Sequence, residues 1–289
     1  MNAQTRPERL FRYFPSAASD LFGAKKLWFS AVRDYNDPFD AVPRFDRMLQ
    51  GQSEHAIPLE YAFLPPHASW DWPDFKKTMS HDAVALNLEL AEAVSEKHVQ
   101  LVSERIRSVC FFSGSIDKLL MWSHYASSHT GFVVEFDPKH RLFTTDEFGE
   151  VHYANERPGV ESTASDDLGE ILFSKSCEWK DEHEWRLVKS ANSLEVGKRR
   201  DGKTLCYLDL PSDSVRAVYF GCRILAGSCV ELLESLKKES WKDVKKFVMC
   251  RHRAEYAIEP IPWEQWRDKP ETVRKELDHL VAEITRRQG

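Results

Sequence analysis

The stretch Lys175–Ser190 reads KSCEWKDEHEWRLVKS, and its second half alternates as a β-strand does. Along such a strand Glu182, Glu184 and Arg186 point one way, and His183, Trp185 and Leu187 the other. Trp185 and Leu187 then anchor a core and leave two carboxylates and a guanidinium in one row. A basic turn follows, GKRRDGK over 197–203, and then TLCYLDL over 204–210. Strand, polar turn and strand predict a hairpin, and hence antiparallel pairing in this half of the chain.

Working outward, LFRYF (10–14), KLWFSAV (26–32), VCFFS (109–113), GFVVEFD (131–137), VRAVYFG (215–221), VKKFVMCRH and YAIEPIP carry strand patterns. Helical patterns fall on SAASDLFG, on residues from about 74 to 107, on IDKLLMWSHYASS with Ser115 as its cap, on DLGEILFSK and on GSCVELLESLKKE. Strands and helices do not alternate regularly enough for a doubly wound sheet or a βα barrel. The expectation is an α+β fold: mixed, largely antiparallel sheets of short strands with flanking helices. One domain over 1–289 is expected, with a helical insertion at roughly 41–108 and a terminal helix at roughly 263–287.

Composition narrows the function classes. Of 289 residues, 42% are hydrophobic and 30% charged, as in ordinary globular proteins. A formal net charge of -6 argues against a protein that coats nucleic acid or anionic membrane. Six cysteines contain no C-x-x-C pair and sit largely in apolar runs, which fits free thiols in a reducing compartment. MNAQTRPERLFRYF lacks the apolar core of a signal peptide, and no stretch has the length to span a bilayer. A cytoplasmic protein is expected.

P-loop, G-x-G-x-x-G, H-E-x-x-H and G-x-S-x-G motifs are missing, and the 11 histidines show no ligand spacing, so no metal is expected. Glu182 and Glu184 either form the wet face of a strand or converge on a substrate. NDPFD over 36–40 offers Asn36, Asp37 and Asp40, either as ligands for a cation or ribose hydroxyl or as a turn of the Asx type. Trp122 and Tyr125 lie one helical turn apart and either stack on a planar ligand or fill a core. Arg12 shares a strand face with Leu10 and Phe14, where a guanidinium wants an acidic or phosphate partner.

LFRYFPSAASDLFGAKKLWFSAVRDYNDPFD, VCFFSGSIDKLLMWSHYASSHTGFVVEFD and KSCEWKDEHEWRLV resemble, in order, three blocks of the bacterial family called domain of unknown function 2971. VRAVYFGCRILAG is similar to its closing segment. The start departs from that family, with Arg12-Tyr13-Phe14 where Lys-Tyr-Arg is usual. A more distant resemblance runs to ADP-ribosyltransferases of the Arg–Ser–Glu type, through Arg12, Ser30 and the E-x-E of Glu182-His183-Glu184. There the usual serine–threonine–serine is reduced to Ser30.

That second resemblance implies an ADP-ribosyltransferase-like fold and an enzyme that uses NAD as substrate, with an unknown protein or nucleic-acid acceptor. A bacterial toxin or phage-defence effector would do such work. It implies Glu184 at the ribose, Glu182 on the acceptor, Arg12 on the pyrophosphate or adenosine end, and Ser30 supporting the glutamate. Tyr13, Trp122 or Tyr125 would stack on a ring. Two alternatives stay open: a metal-dependent nuclease built on Asp37, Asp40 and Glu184 with the basic turn on phosphates, and a non-catalytic binding module. No membrane partner is expected, and the oligomeric state is left open.

Overall fold

A computed structural model describes residues 6–44, 95–145, 147–159, 168–199, 202 and 204–267. Among the described residues the strands are β1 (Leu10–Phe14), β2 (Lys26–Phe29), β3 (Ile106–Phe112), β4 (Phe132–Phe136), β5 (Phe148–Glu150) and β6 (His152–Ala154). They continue with β7 (Ser174–Ser176), β8 (Glu184–Ser190), β9 (Glu195–Lys198), β10 (Thr204–Asp209), β11 (Val215–Phe220), β12 (Lys245–Arg251) and β13 (Ile258–Pro262). Helices cover Leu21–Ala24, 95–105, Leu119–Tyr125, Leu168–Leu172, Ala226–Leu236 and Trp263–Arg267. The fold is mixed α+β with largely antiparallel sheets, as the sequence predicts. Most of the expected insertion (45–94) and the remainder of the terminal helix lie outside the described residues.

The chain divides into two compact units. The first comprises Met1–Glu8, Lys26–Gly114 and Pro138–Leu210. In it β8 runs antiparallel between β3 and β5. A second sheet has the order β2-β10-β9, and β6 pairs with β7 in parallel. The hairpin around the basic turn therefore joins β9 to β10, and the EWRLVKS strand is not its partner. The reason lies in the side chains: Trp185 and Leu187 are buried on one face and Glu184 and Arg186 on the other. A strand buried on both faces belongs inside a sheet rather than in an exposed ribbon.

Two cores hold the first unit together. Trp185 stacks on Phe148 with ring centroids 5.3 Å apart, and Phe148 packs on Phe143 and Phe111. On the other side Val102 and Val99, from the helix at 95–105, pack with Val32, Ala41, Ile171 and Leu172. Ser30 continues β2 into a bridge with Ser108, each backbone N–H donating to the other's carbonyl at 2.9 and 3.0 Å.

The second unit comprises Arg9–Lys25, Ser115–Asp137 and Pro211–Gly289. Its described strands follow the order β13-β12-β11-β4-β1. β11 and β12 are parallel, and the Ala226–Leu236 helix provides the crossover that a parallel pair needs. All five residues of β4 are buried, including Glu135, which Arg9 grips through two hydrogen bonds and Tyr219 through a third. The helix before β4 begins at Leu119 after Lys118, so Ser115 does not cap it as expected. Ser127, Ser128 and His129 then turn left-handed and bring Gly131 against Phe14. A Cβ on Gly131 would meet the Phe14 carbonyl oxygen at 2.0 Å.

Candidate functional site

Glu182 does not lie on the strand. Cys177–Glu182 form tight 3-10 turns capped by the Ser176 hydroxyl, and His183 is left-handed (φ 48°, ψ 53°). β8 begins only at Glu184. The His183 carbonyl accepts hydrogen bonds from the Ser113 amide (3.0 Å) and hydroxyl (3.1 Å), which fixes the kink. Strand alternation therefore does not bring the two carboxylates together, and the kink does.

They meet on Lys175. Its ammonium donates to Glu182 Oε2 at 2.6 Å and to Glu184 Oε2 at 2.9 Å, and lies 3.9 Å from Asp40 Oδ2. Arg186 completes the cluster. Its Nε donates to Glu184 Oε1 (2.7 Å), its Nη2 to Asp40 Oδ2 (2.7 Å), and its Nη1 to the Leu172 carbonyl (2.7 Å). The guanidinium also lies over the Tyr35 ring. From above, the Tyr153 hydroxyl accepts the Glu184 N–H at 2.8 Å.

This is no wet strand face. Side chains of Glu184 and Arg186 are 1% and 0% exposed, and that of Lys175 is 3% exposed. Three carboxylates face two cations, and burial makes each charge depend on its partners. For Glu184 burial opposes ionisation, but Arg186 and Lys175 outweigh it and hold the carboxyl at about 2. For Asp40 burial wins over the attraction of Arg186, and its carboxyl is raised. Its Oδ1 has no hydrogen-bond partner among the described residues. Burial and the neighbouring Glu184 push the Cys110 thiol up, so it is a weak nucleophile.

Lys175 also lines a cleft of about 230 Å³, together with Phe39, Val42, Asn155, Arg157 and Ser176 among others. It is the residue shared by the cleft and the carboxylates. The other expected residues are distributed differently. Asp37 Oδ1 accepts the Phe39 N–H at 2.9 Å, an Asx turn, while Asp40 joins Glu184. Asn36 is exposed beside them, and Ser30 is partly buried at its bridge with Ser108. Arg12, Tyr13, Trp122 and Tyr125 belong to the second unit. There Arg12 lies over the Phe14 ring, and fully buried Trp122 packs edge-on to Tyr13 while donating its Nε1–H to Ile116. Tyr125 is partly buried next to His124.

The segment from Met121 through Leu187, which ends just after Arg186, matches the family model described as protein of unknown function (DUF2971). The resemblance to that family holds. The matched segment carries Lys175, Glu182, Glu184 and Arg186, four of the five cluster residues, and Asp40 alone comes from outside it. No curated protein and no solved structure matches the chain. The likeness to ADP-ribosyltransferases rests on motif order alone. Among the described residues no group of three or more His, Cys, Asp or Glu side chains is arranged to hold a metal ion, and no helix is long and apolar enough to cross a membrane.

Sequence reasoning missed Lys175. Nothing in its spacing marks it, seven residues before Glu182 and nine before Glu184. Only the return of the chain through the 3-10 turns lays its ammonium on both carboxylates.

Proposed function

We propose that the protein is an ADP-ribosyltransferase-like enzyme that uses NAD as substrate, with Glu184 and Glu182 as its reactive carboxylates. One observation carries the reading: both carboxylates converge on the lysine that lines the cleft. Cleavage of the nicotinamide–ribose bond builds positive charge on the ribose, as glycoside hydrolysis does. A carboxylate that stays ionised at neutral pH stabilises that charge, and Glu184 is held in this state. The bond electrons leave with nicotinamide. The acceptor bonds to the ribose carbon and gives its proton to Glu182. Both oxygens of Glu184 are engaged by Lys175 and Arg186 in the resting structure, so a substrate that reaches Glu184 has to displace one of these contacts.

The test is nicotinamide release from NAD by the full chain. Wild type is expected to release it, and Glu184→Gln to slow release by roughly 10²-fold or more, with its melting temperature recorded beside it. Absence of NAD binding in calorimetry together with absence of release would sink the reading. The nuclease alternative has Asp40 close to Glu184 through Arg186 but Asp37 tied to the Phe39 N–H; magnesium- or manganese-dependent cleavage of DNA or RNA that chelator abolishes would establish it instead.

A further inference from the structure

The cleft has its own chemistry beyond Lys175. Phe39 stands at its rim with 60% of its surface exposed. Both of its acidic neighbours are buried and tied down. Asp37 accepts the Phe39 N–H, and Asp40 is held by Arg186 at 2.7 Å. The turn thus holds the phenyl ring at the rim, largely open to water with the Arg157 guanidinium over it. Ala41, Val42 and Ile171 extend the apolar wall.

Other lining residues bring donors. Arg157, exposed at the surface, places its guanidinium carbon 5.3 Å from the Phe39 ring centroid. Asn155 adds an amide. The Ser176 hydroxyl accepts the Glu178 N–H, which leaves its own proton to give. The acidic lining residue, Glu156, pairs with Arg44 at 3.0 Å. A flat apolar ring in the same cleft as a guanidinium, an amide and a hydroxyl suits a flat ring joined to an acceptor-rich anion. At about 230 Å³ the cleft is smaller than the roughly 300–1,000 Å³ of drug-sized pockets, too small to enclose a whole dinucleotide.

We propose that this cleft binds a phosphorylated nucleoside, its base against Phe39 and its phosphate on Arg157 and Ser176. The inference rests on the NAD reading only in that one half of a dinucleotide is such a ligand. Calorimetry and saturation-transfer NMR on the full chain test it with AMP, nicotinamide mononucleotide, adenosine and inorganic phosphate. One of the two nucleotides is expected to bind saturably, with adenosine and phosphate each weaker by about tenfold or more. Phe39→Ala and Arg157→Ala are each expected to weaken it by about tenfold while circular dichroism stays unchanged, because both side chains are exposed. The proposal is overturned if neither nucleotide binds, if phosphate binds as well as the nucleotides, or if both variants bind as wild type does. AMP binding with neither NAD binding nor nicotinamide release removes the NAD reading and keeps this site. Nicotinamide release with nucleotide binding indifferent to Phe39 and Arg157 does the reverse.

Discussion

Arg186 is fully buried and spends its donors on Glu184, Asp40 and the Leu172 carbonyl. Arg186→Met leaves two carboxylates in the interior with less positive charge to answer them. The expected loss is about 3–5 kcal/mol in urea unfolding at pH 7. Asp40 is the residue for comparison. Its carboxyl is raised by burial and one of its oxygens lacks a hydrogen bond among the described residues. Asparagine keeps an acceptor for Arg186 and removes the charge that burial penalises. Asp40→Asn is therefore expected to change stability by less than about 1 kcal/mol at pH 7, far less than Arg186→Met. Equal losses in the two variants would refute this division of roles.

At the scale of elements, the left-handed His183 decides where the strand starts. Asparagine adopts this conformation readily, whereas a β-branched residue pays about 1–2 kcal/mol for it. His183→Asn should melt within a few degrees of wild type and His183→Val well below it. In the second unit Gly131 has no such choice. An added Cβ would lie 2.0 Å from the Phe14 carbonyl oxygen and 3.1 Å from that of Ala126, both backbone atoms. Gly131→Ala is expected to cost about 3 kcal/mol or more, by forcing β1 from β4, and thermal unfolding will show it. Much at this scale was legible beforehand. FVVEF and VRAVYF alternate or run apolar in β-branched and aromatic residues, and both are strands. The hairpin was misassigned because a short strand pattern does not name its partner, and the Ser115 cap because a cap must directly precede the first turn and the helix starts only at Leu119.

For the whole molecule, the buried cluster ties stability to pH. The Glu184 carboxyl is lowered from 4.5 to about 2 on folding. Its contribution is complete above about 4.5 and disappears as pH falls through about 2. Asp40 works in the other direction: its raised carboxyl makes the folded state bind the proton more tightly, so its effect on stability declines as pH rises from 3.8. Urea midpoints measured from pH 7 down to 2.5 should fall with acid in wild type. Glu184→Gln should start lower at pH 7 and lose less on acidification. A variant curve parallel to that of wild type would count against the linkage.

Alternation, turn chemistry and composition by themselves determined the α+β class, most described strands and the buried Trp185–Leu187 side of β8. Those properties depend on each residue's own preference and its near neighbours, which a sequence displays directly. The sequence also singled out Glu182 and Glu184 as a pair and set Asp40 with Glu184 in one alternative, but it showed neither the kink nor the cations that bring them together. Tertiary structure alone decided that Lys175 bridges both glutamates, that Arg186 joins Asp40 across 146 positions of chain, and that a cleft opens at the same lysine. Charge pairing of this kind acts through space at a few ångströms, and sequence distance carries no record of it. What looked like the wet face of a strand is a dry ion cluster for that reason.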